Sequence, residues 1–303
     1  MSLRTDLRDV VTLSGLKPKT LMRRVYVAIV EEDLSGYAAQ LAYYFLFALF
    51  PFFIFLAALL PFIPIPDLLP GIMALIGELL PAAALDMIKD NVEALVSQPR
   101  GGLLSFGILL ALWSASGGVA AITDSLNHAY HVKEGRPFWR RRGMAILLTM
   151  SLAVLMIGSM MLLIFGPELG GWLADFLGLG RAFDVVWSWV RWPLIVFMMV
   201  FAVALIYYFA PDVEQDWRWI TPGSVIAVLA WIGVSLAFGY YVDNFAEYDK
   251  TYGSIGAVIV LLTWMYLSGF FLLVGGEINA EIEHSARGGK DAGEKKLPRK
   301  KAR

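Results

Sequence analysis

The chain has 303 residues, of which 58% are hydrophobic, 14% aromatic and only 17% charged, and its formal net charge is -1. Soluble globular domains are usually about 45–50% apolar and about 25% charged, so this composition excludes an ordinary soluble protein and indicates a membrane protein. The sequence contains no cysteine, which excludes disulfides, thiolate catalysis and cysteine-ligated metals.

Residues 1–35 form a polar and basic N-terminal segment without the early apolar core of a secretory signal peptide, and we expect it to be retained. Within it, residues 17–31 (KPKTLMRRVYVAIVE) place apolar side chains at helical spacing, opposite Arg23 and Arg24. This pattern predicts an amphipathic helix that either lies on the inner leaflet or packs on the protein's own cytoplasmic face. In the first case its basic residues would bind anionic lipid.

Six apolar runs are long enough to cross a bilayer core, which needs roughly 20 helical residues. Their centres carry no Asp, Glu, Lys or Arg, and their even apolarity lacks the alternation of a barrel strand. The sequence therefore predicts an all-α integral membrane protein whose six-helix domain covers residues 36–284. Pro51 in the first run predicts a kink. The runs lie at about 36–60, 103–126, 143–166, 186–210, 222–242 and 253–276.

Basic residues are concentrated on one side of these spans. The four segments 1–35, 127–142, 211–221 and 278–303 together hold 20 Lys and Arg residues. The three segments on the other side, 61–102, 167–185 and 243–252, hold 4. Because cytoplasmic loops carry the excess of Lys and Arg, this asymmetry predicts that both termini lie in the cytoplasm.

Two segments outside the spans have their own patterns. The outer segment 61–102 reads as two short amphipathic helices that are too short to span, and it could cap the bundle or contact an envelope protein partner. The basic tail 285–303 has no apolar period, so we expect it to be disordered. Its eight Lys and Arg residues either bind anionic lipid or only anchor the topology.

The sequence argues against an enzyme. It has no GxxxxGK[ST], HExxH or GxSxG motif, and its cytoplasmic segments are too short for a soluble catalytic domain. Asp124, His128 and His131 have helical spacing that could nominally ligate a metal, but a solvated helix end explains them better. Ribonuclease activity would need clustered carboxylates or a positioned histidine pair on a surface that RNA can reach. We therefore predict no catalytic residues, metal, cofactor or nucleic-acid partner.

Polar residues recur near the cytoplasmic ends of the spans, and we predict that they line a polar vestibule open to the cytoplasm. Lipid exposure of charged side chains is costly, so such groups face the bundle interior or a cavity. The same groups could instead hold the bundle together by interhelical hydrogen bonds. Glu277 is expected at the inner membrane boundary, with Glu281 and Glu283 in solvent. The candidate residues are Gln40, Tyr44, Ser116, Thr123, Asp124, Asn127, Asp212, Tyr266, Glu277 and Asn279.

Six stretches carry a family resemblance: LAYYFLFALFP (41–51), LWSASGG (112–118), LNHAY (126–130), YYFAPDVEQDWRWITPG (207–223), YYVDNFAEYDKTYGSIGAVIVLLTWMYLSG (240–269) and GGEINAEIE (275–283). Over nearly the whole transmembrane region the chain resembles the YihY/virulence factor BrkB family. The resemblance implies a multi-pass protein of the bacterial inner membrane, with some relatives associated with serum resistance or with lipids and lipopolysaccharide precursors. The family once carried the name ribonuclease BN, which we regard as a misassignment. It supplies no established catalytic residues.

Our leading hypothesis is a transporter-like protein that moves or presents a lipid or lipid-linked envelope precursor through the vestibule. One alternative is an ion-coupled small-solute carrier in which Glu277 or Asp124 takes up protons. Another is a non-transporting scaffold for envelope assembly that uses segment 61–102 as its contact surface. Membrane lipids are the expected partners, and homo-oligomerisation is left open.

Overall fold

The computed structural model describes residues 17–59, 101–164, 166, 170–171, 180–245, 254–286 and 291–296. Within these ranges the chain forms seven α-helices and no β-strand, which confirms the predicted all-α class for this part of the protein. The helices are α1 Pro18–Glu31, α2 Leu34–Leu59, α3 Gly101–Ala129, α4 Phe138–Ile164, α5 Gly180–Phe209, α6 Trp217–Phe245 and α7 Ser254–Ser285.

Five of the described helices contain segments long and apolar enough to cross a membrane, and these correspond to the last five predicted spans. The predicted first span falls on α2, which contains Pro51. The count of six spans, the kink and the side on which the termini lie stay predictions. Residues 60–100, which include nearly all of the outer segment, lie outside the described part. The five segments are Ser105–Ala129, Phe138–Leu163, Val185–Phe209, Ile220–Val242 and Gly256–Ser285.

The chain divides into two compact units. The first contains residues 1–43 and 116–303, and the second contains residues 44–115. In the first unit α7 packs along α6 and also contacts α1, while α5 contacts both α4 and α6. All of the contacts described below belong to the first unit.

Glycines allow α6 and α7 to approach each other closely. A methyl carbon added at Gly223 would lie 2.1 Å from the carbonyl oxygen of Gly275, and one added at Gly275 would lie 2.8 Å from the carbonyl oxygen of Gly223. At the same level the hydroxyl of Tyr207 donates to the carbonyl of Leu272. The backbones of the two helices are therefore in direct contact, an arrangement that small residues permit in membrane proteins.

Helix α1 packs on the end of α7. Arg24 Nη1 lies 3.3 Å from Glu281 Oε2, and it also donates to the hydroxyl of Ser285 over 2.7 Å. Of the two positions predicted for α1, contact with the protein's own surface is thus observed. The buried cluster between the two helices consists of Leu21, Val25, Ile278 and Ile282.

Residues 291–296 contact the loops that precede α4 and α6. The backbone N–H of Gly293 donates to the carbonyl of Tyr130 over 3.1 Å, and Lys295 pairs with the Asp212 carboxylate. Because these contacts concern only residues 291–296, the predicted disorder of the tail 285–303 stays a prediction.

Candidate functional site

Buried polar side chains gather at one end of the helices of the first unit, which we call the polar end. Contacts among α3, α5, α6 and α7 converge there, and the loops after α3 and α5 cover it. Because burying a polar group without partners is costly, each of these side chains needs an explanation. Among the described residues they are Thr123, Ser125, Asn127, Ser224, Glu277, Asn279 and Glu283, while Ser116 is also buried but lies about three turns before Asn127 on α3.

Asn127 connects three segments of the polar end. Its Nδ2 donates to Glu134 Oε2 over 3.0 Å, and its Oδ1 accepts the backbone N–H of Asp212 over 2.7 Å. Its backbone carbonyl accepts the N–H of Val132 over 2.9 Å. A single buried side chain at the end of α3 therefore positions both the loop before α4 and the loop before α6.

Arg136 forms a bidentate ion pair inside this network. Its Nε donates to Glu134 Oε1 over 2.8 Å and its Nη2 to Glu134 Oε2 over 2.7 Å, while only 8% of the Arg136 side chain is exposed. The same guanidinium donates to the carbonyls of Phe209 and Ala210 at the end of α5. These carbonyls lack intrahelical partners, and a positive charge there is favourable to the helix dipole. Arg136, held by Glu134, thus caps the C-terminal end of α5.

The environment of Glu134 keeps it ionised. Partial burial raises the pKa of this carboxyl, but hydrogen bonds and charge from Arg136, with a further hydrogen bond from Asn127, outweigh burial and lower the pKa from 4.5 to about 2. Glu134 is therefore an anion at neutral pH. Its role in the polar end is to pair with Arg136 rather than to carry a proton.

Helix α3 ends in a Schellman turn in which His131 adopts a left-handed conformation with φ of 53°. The N–H of Val132 donates to the carbonyl of Asn127, and the N–H of His131 donates to the carbonyl of His128 over 2.8 Å. A residue other than glycine loses roughly 1–2 kcal/mol of stability in this conformation. His131 Nε2 lies 3.6 Å from Glu32 Oε1, an ion pair when the histidine is protonated.

Helix α7 supplies three buried polar side chains: Glu277, Asn279 and Glu283, which are 2%, 0% and 0% exposed. Asn279 Oδ1 accepts the N–H of Gly223 over 2.8 Å. Glu277 Oε2 has no hydrogen-bond partner within the described ranges, and Glu277 lies within electrostatic range of Glu32. A carboxylate buried without a full set of partners in a membrane segment is a candidate functional group.

The burial of Glu283 corrects the sequence prediction, which placed it in solvent. The prediction assumed that no other part of the protein packs on α7 beyond the end of its apolar run. In the structure α7 continues to Ser285, α1 packs on Ile278 and Ile282, and the turn after α3 packs on Ala280. The polar residues beyond the apolar run are therefore covered by other parts of the protein.

An open cavity of about 470 Å³ lies beside the polar end, between the α1–α2 turn and the end of α3. Asp33 caps α2, since its Oδ1 accepts the N–H of Gly36 over 3.1 Å, and a side chain at Gly36 would collide with this carboxylate. The rings of Tyr37 and His128 lie 5.7 Å apart. The lining residues are Glu31, Glu32, Asp33, Gly36, Tyr37, Gln40 and His128.

The cavity has an acidic wall. Burial raises the pKa of Glu32, and the charges of His131 and His128 act against this effect. Together with Glu31 and Asp33, Glu32 gives the wall a negative potential when the three carboxyls are ionised. The cavity therefore suits a polar or positively charged group better than an anion.

The structure brings together some of the ten predicted site residues. Asp212 belongs to the loop network, where its Oδ2 accepts the N–H of Gly135 over 2.9 Å. Gln40 is exposed and lines the cavity. Four others are buried in the polar end: Thr123, Asn127, Glu277 and Asn279. Ser116 is also buried, but it lies about three turns before Asn127 on α3.

Asp124, Tyr266 and Tyr44 lie elsewhere. Half of the Asp124 side chain is exposed, and its Oδ2 pairs with Arg141 Nη2 over 2.7 Å. The structure therefore separates Asp124 from the buried face of α3. Tyr266 lies about three turns before Glu277 on α7, and Tyr44 belongs to the second unit.

Sequence reasoning missed Glu134 and Arg136, which organise the loops. A local signal existed in residues 134–137 (EGRP), where opposite charges stand two residues apart just before a proline that precedes α4. Asp124, His128 and His131, which could nominally ligate a metal, do not form such a site. The described ranges contain no group of three or more His, Asp or Glu suited to a metal ion. Asp124 pairs with Arg141 instead.

Comparison with known proteins gives a family match. The family model for virulence factor BrkB matches residues 25–301. Over 261 residues the chain is 41% identical to the ribonuclease-like protein YfkH of Bacillus subtilis (strain 168), covering 86% of this chain and 94% of that protein. It is 25% identical over 280 residues to a UPF0761 membrane protein of Xanthomonas campestris pv. campestris (strain B100), and spans 60% of that relative's length. No solved structure matches the chain.

Proposed function

The chain belongs to the virulence factor BrkB family, and we propose that this membrane protein moves or presents a lipid or lipid-linked envelope precursor through its polar end. The headgroup would enter the cavity from the cytoplasmic side of the bacterial inner membrane while the acyl chains stay in lipid. The observation that carries the proposal is the open polar cavity with an acidic wall beside the polar end. Glu32 lines the cavity, and it lies within electrostatic range of Glu277.

The cavity meets the requirements of a headgroup site. Its volume of about 470 Å³ lies in the range of roughly 300–1,000 Å³ that is usual for small-molecule pockets. Tyr37 and Gln40 offer hydrogen-bond donors and acceptors without fixed charge. The acidic wall favours a headgroup that carries an ammonium group over one that carries phosphate alone.

The outer surface of the span helices suits the acyl chains of the same ligand. In the α4 span Phe138–Leu163 only Ala145 and Leu148 are buried, and large apolar side chains such as Leu147, Val154 and Met156 are exposed along it. In a membrane protein such a face lies against lipid tails. A lipid with its headgroup at the polar end would therefore keep its chains in an apolar environment.

A lipid-movement assay tests the proposal. The full chain is reconstituted into vesicles that contain fluorescent phosphatidylethanolamine or phosphatidylglycerol, and the fraction of label that external dithionite can reduce is followed over time. We expect the protein to accelerate loss of inner-leaflet label, and to act faster on phosphatidylethanolamine. The Tyr37→Ala/Gln40→Ala double variant and Glu277→Gln should each slow this movement severalfold.

The control is Arg140→Ala, which removes an exposed charge outside the cavity and should leave the rate unchanged. Each variant is compared at equal reconstituted amount, because loss of folding would also abolish movement. Equal rates in protein-free and protein-containing vesicles would contradict the proposal.

A second candidate function is an ion-coupled small-solute carrier, and one observation favours it. Glu277 is buried on α7 and its Oε2 has no hydrogen-bond partner in the described part of the chain, as in carboxylates that relay protons in transporters. Solute movement that needs a pH gradient and stops in Glu277→Gln, with no lipid movement in the wild type, would favour this carrier over the lipid hypothesis.

A further inference from the structure

Helix α1 carries two apolar stripes, and only one of them is covered. Leu21, Val25 and Ala28 are 6–7% exposed, and the first two pack on α7. A second stripe repeats every four residues on the far side of the helix and faces outward. It consists of Met22, Tyr26 and Val30, with exposed fractions of 73%, 68% and 65%. At about 100° per residue the two stripes are centred well over 90° apart around the helix axis.

Exposed basic residues flank the outward stripe. Lys19 and Arg23 each precede a member of the stripe by three residues, and side chains at this spacing are neighbours on a helix surface. Arg24 lies on a different face, where its contacts with Glu281 and Ser285 fix the rotation of α1 on α7. The packing of α1 on α7 therefore sets which way the apolar stripe and its flanking basic residues face.

The stripe is held at the level where a membrane segment ends. The residues of α7 that α1 covers include Ile278 and Ile282, which lie in the span candidate Gly256–Ser285. Helix α2 begins at Leu34, three residues after α1 ends. A helix with an outward apolar stripe and flanking lysine or arginine at this level has the features of an interfacial helix.

We infer that Met22, Tyr26 and Val30 dock α1 into an anionic phospholipid leaflet. The apolar side chains enter the boundary between headgroups and acyl chains, and Lys19 and Arg23 pair with lipid phosphates. A second copy of the chain is instead an outcome that the quenching test distinguishes. The docking surface is distinct from the cavity, and it holds whether or not the protein moves lipid.

Single-cysteine labelling tests the docking, because the chain has no cysteine of its own. Full-length Met22→Cys and Val30→Cys variants are labelled with an environment-sensitive fluorophore and placed in nanodiscs containing phosphatidylglycerol. Thr20→Cys, at an exposed position on another face of α1, is the matched control. We expect doxyl-lipid quenching at positions 22 and 30, and iodide quenching at position 20.

Two results would overturn the inference. Labels at positions 22 and 30 that iodide reaches as readily as at position 20 would show that the stripe faces water. Labels that are shielded from iodide but not quenched by doxyl lipid would show that a protein, or a second copy, covers the stripe.

The lipid charge is tested separately with doxyl-labelled phosphatidylglycerol and phosphatidylcholine in mixed nanodiscs. A Lys or Arg near an anionic surface favours binding by roughly fivefold, so Lys19→Gln/Arg23→Gln should lower the preference for phosphatidylglycerol by on the order of tenfold or more. Lys133→Gln, an exposed lysine in the loop between α3 and α4, is the control and should keep the preference. An unchanged preference in the double variant would show that these two charges do not bind the anionic leaflet.

Discussion

Two stretches of the first unit differ sharply in what surrounds them: Leu273–Glu283 at the polar end, and the α4 span Phe138–Leu163. The first is buried almost throughout, whereas only Ala145 and Leu148 of the second are buried. Burial at the polar end includes the side chains of Glu277, Asn279 and Glu283. Beyond its basic start, the α4 span carries hydroxyl side chains that donate to carbonyls four residues back in the same helix.

The comparison shows that the two regions depend on different physical requirements. A lipid-facing helix satisfies its backbone internally and needs apolar side chains without particular partners. The polar end needs matched donors and acceptors at defined distances, because an unpaired buried polar group is costly. Substitutions should therefore be tolerated along α4 and damaging at the polar end, and three predictions examine this difference.

The largest effect is expected for Arg136→Ala. Removing one partner of a buried ion pair costs roughly 3–5 kcal/mol, and because Glu134 keeps some exposure we expect about 3 kcal/mol here. The change also leaves the carbonyls of Phe209 and Ala210 without their donor. Arg136→Lys should rescue little of the loss, since an ammonium cannot reproduce the bidentate geometry. Unfolding free energy measured by steric trapping in bicelles gives the comparison.

The matched control for this prediction is Arg140→Ala, which removes an exposed arginine from the start of α4. Surface substitutions of this kind usually change stability by less than about 0.5 kcal/mol. If Arg136→Ala lowered the free energy of unfolding no more than Arg140→Ala, the polar end would tolerate substitution as well as the exposed surface does, and the prediction would be wrong.

A somewhat smaller effect is expected for Gly223→Ala in α6. The new methyl group would lie 2.1 Å from the carbonyl oxygen of Gly275 and 2.4 Å from Asn279 Oδ1, so the two helices must separate. We expect a loss of about 2–3 kcal/mol, at the upper end of the usual cost of overpacking. The same steric-trapping measurement applies.

Gly233→Ala is the control on the same helix, because nothing lies within 4 Å of a methyl group at that position. Alanine has the higher helix propensity, so this variant should be neutral or more stable by up to about 1 kcal/mol. Equal destabilisation by the two glycine substitutions would indicate a general effect on α6, not close contact with α7.

The smallest effect is a pH dependence at Glu134. Its folded-state pKa is lowered to about 2 from 4.5, so the stabilisation it provides is fully present above pH 4.5 and is lost as the pH falls through this window. The stability difference between wild type and Glu134→Gln should therefore shrink as the pH is lowered. Apparent melting temperatures in an acid-stable non-ionic detergent measure it, and a constant difference across the window would contradict the prediction.

Hydrophobic runs located the membrane helices because a span in lipid must be an apolar, internally hydrogen-bonded helix. The predicted runs 143–166 and 222–242 correspond to α4 and α6. The predicted sixth span ends near residue 276, whereas α7 continues to Ser285. Hydropathy reports which residues can lie in lipid, whereas the end of a helix also depends on what packs against it, here α1.

The sequence predicted which residues belong to the candidate site better than it predicted which residues they contact. Helical spacing placed Thr123 and Asn127 on one face, and both are buried. The same spacing included Asp124, whose pairing with Arg141 depends on how α4 lies beside α3. The acidic cavity wall needed the turn between α1 and α2 to approach the end of α3, and no single-sequence pattern reports such an approach.

The glycine contact between α6 and α7 has a mechanical consequence. With carbonyl oxygen against α-carbon at Gly223 and Gly275, the two backbones have no free space in which to slide or tilt independently. In mechanical terms the two helices behave as one rigid element at this level. The hydrogen bond from the N–H of Gly223 to Asn279 Oδ1 is a second link between them at the polar end.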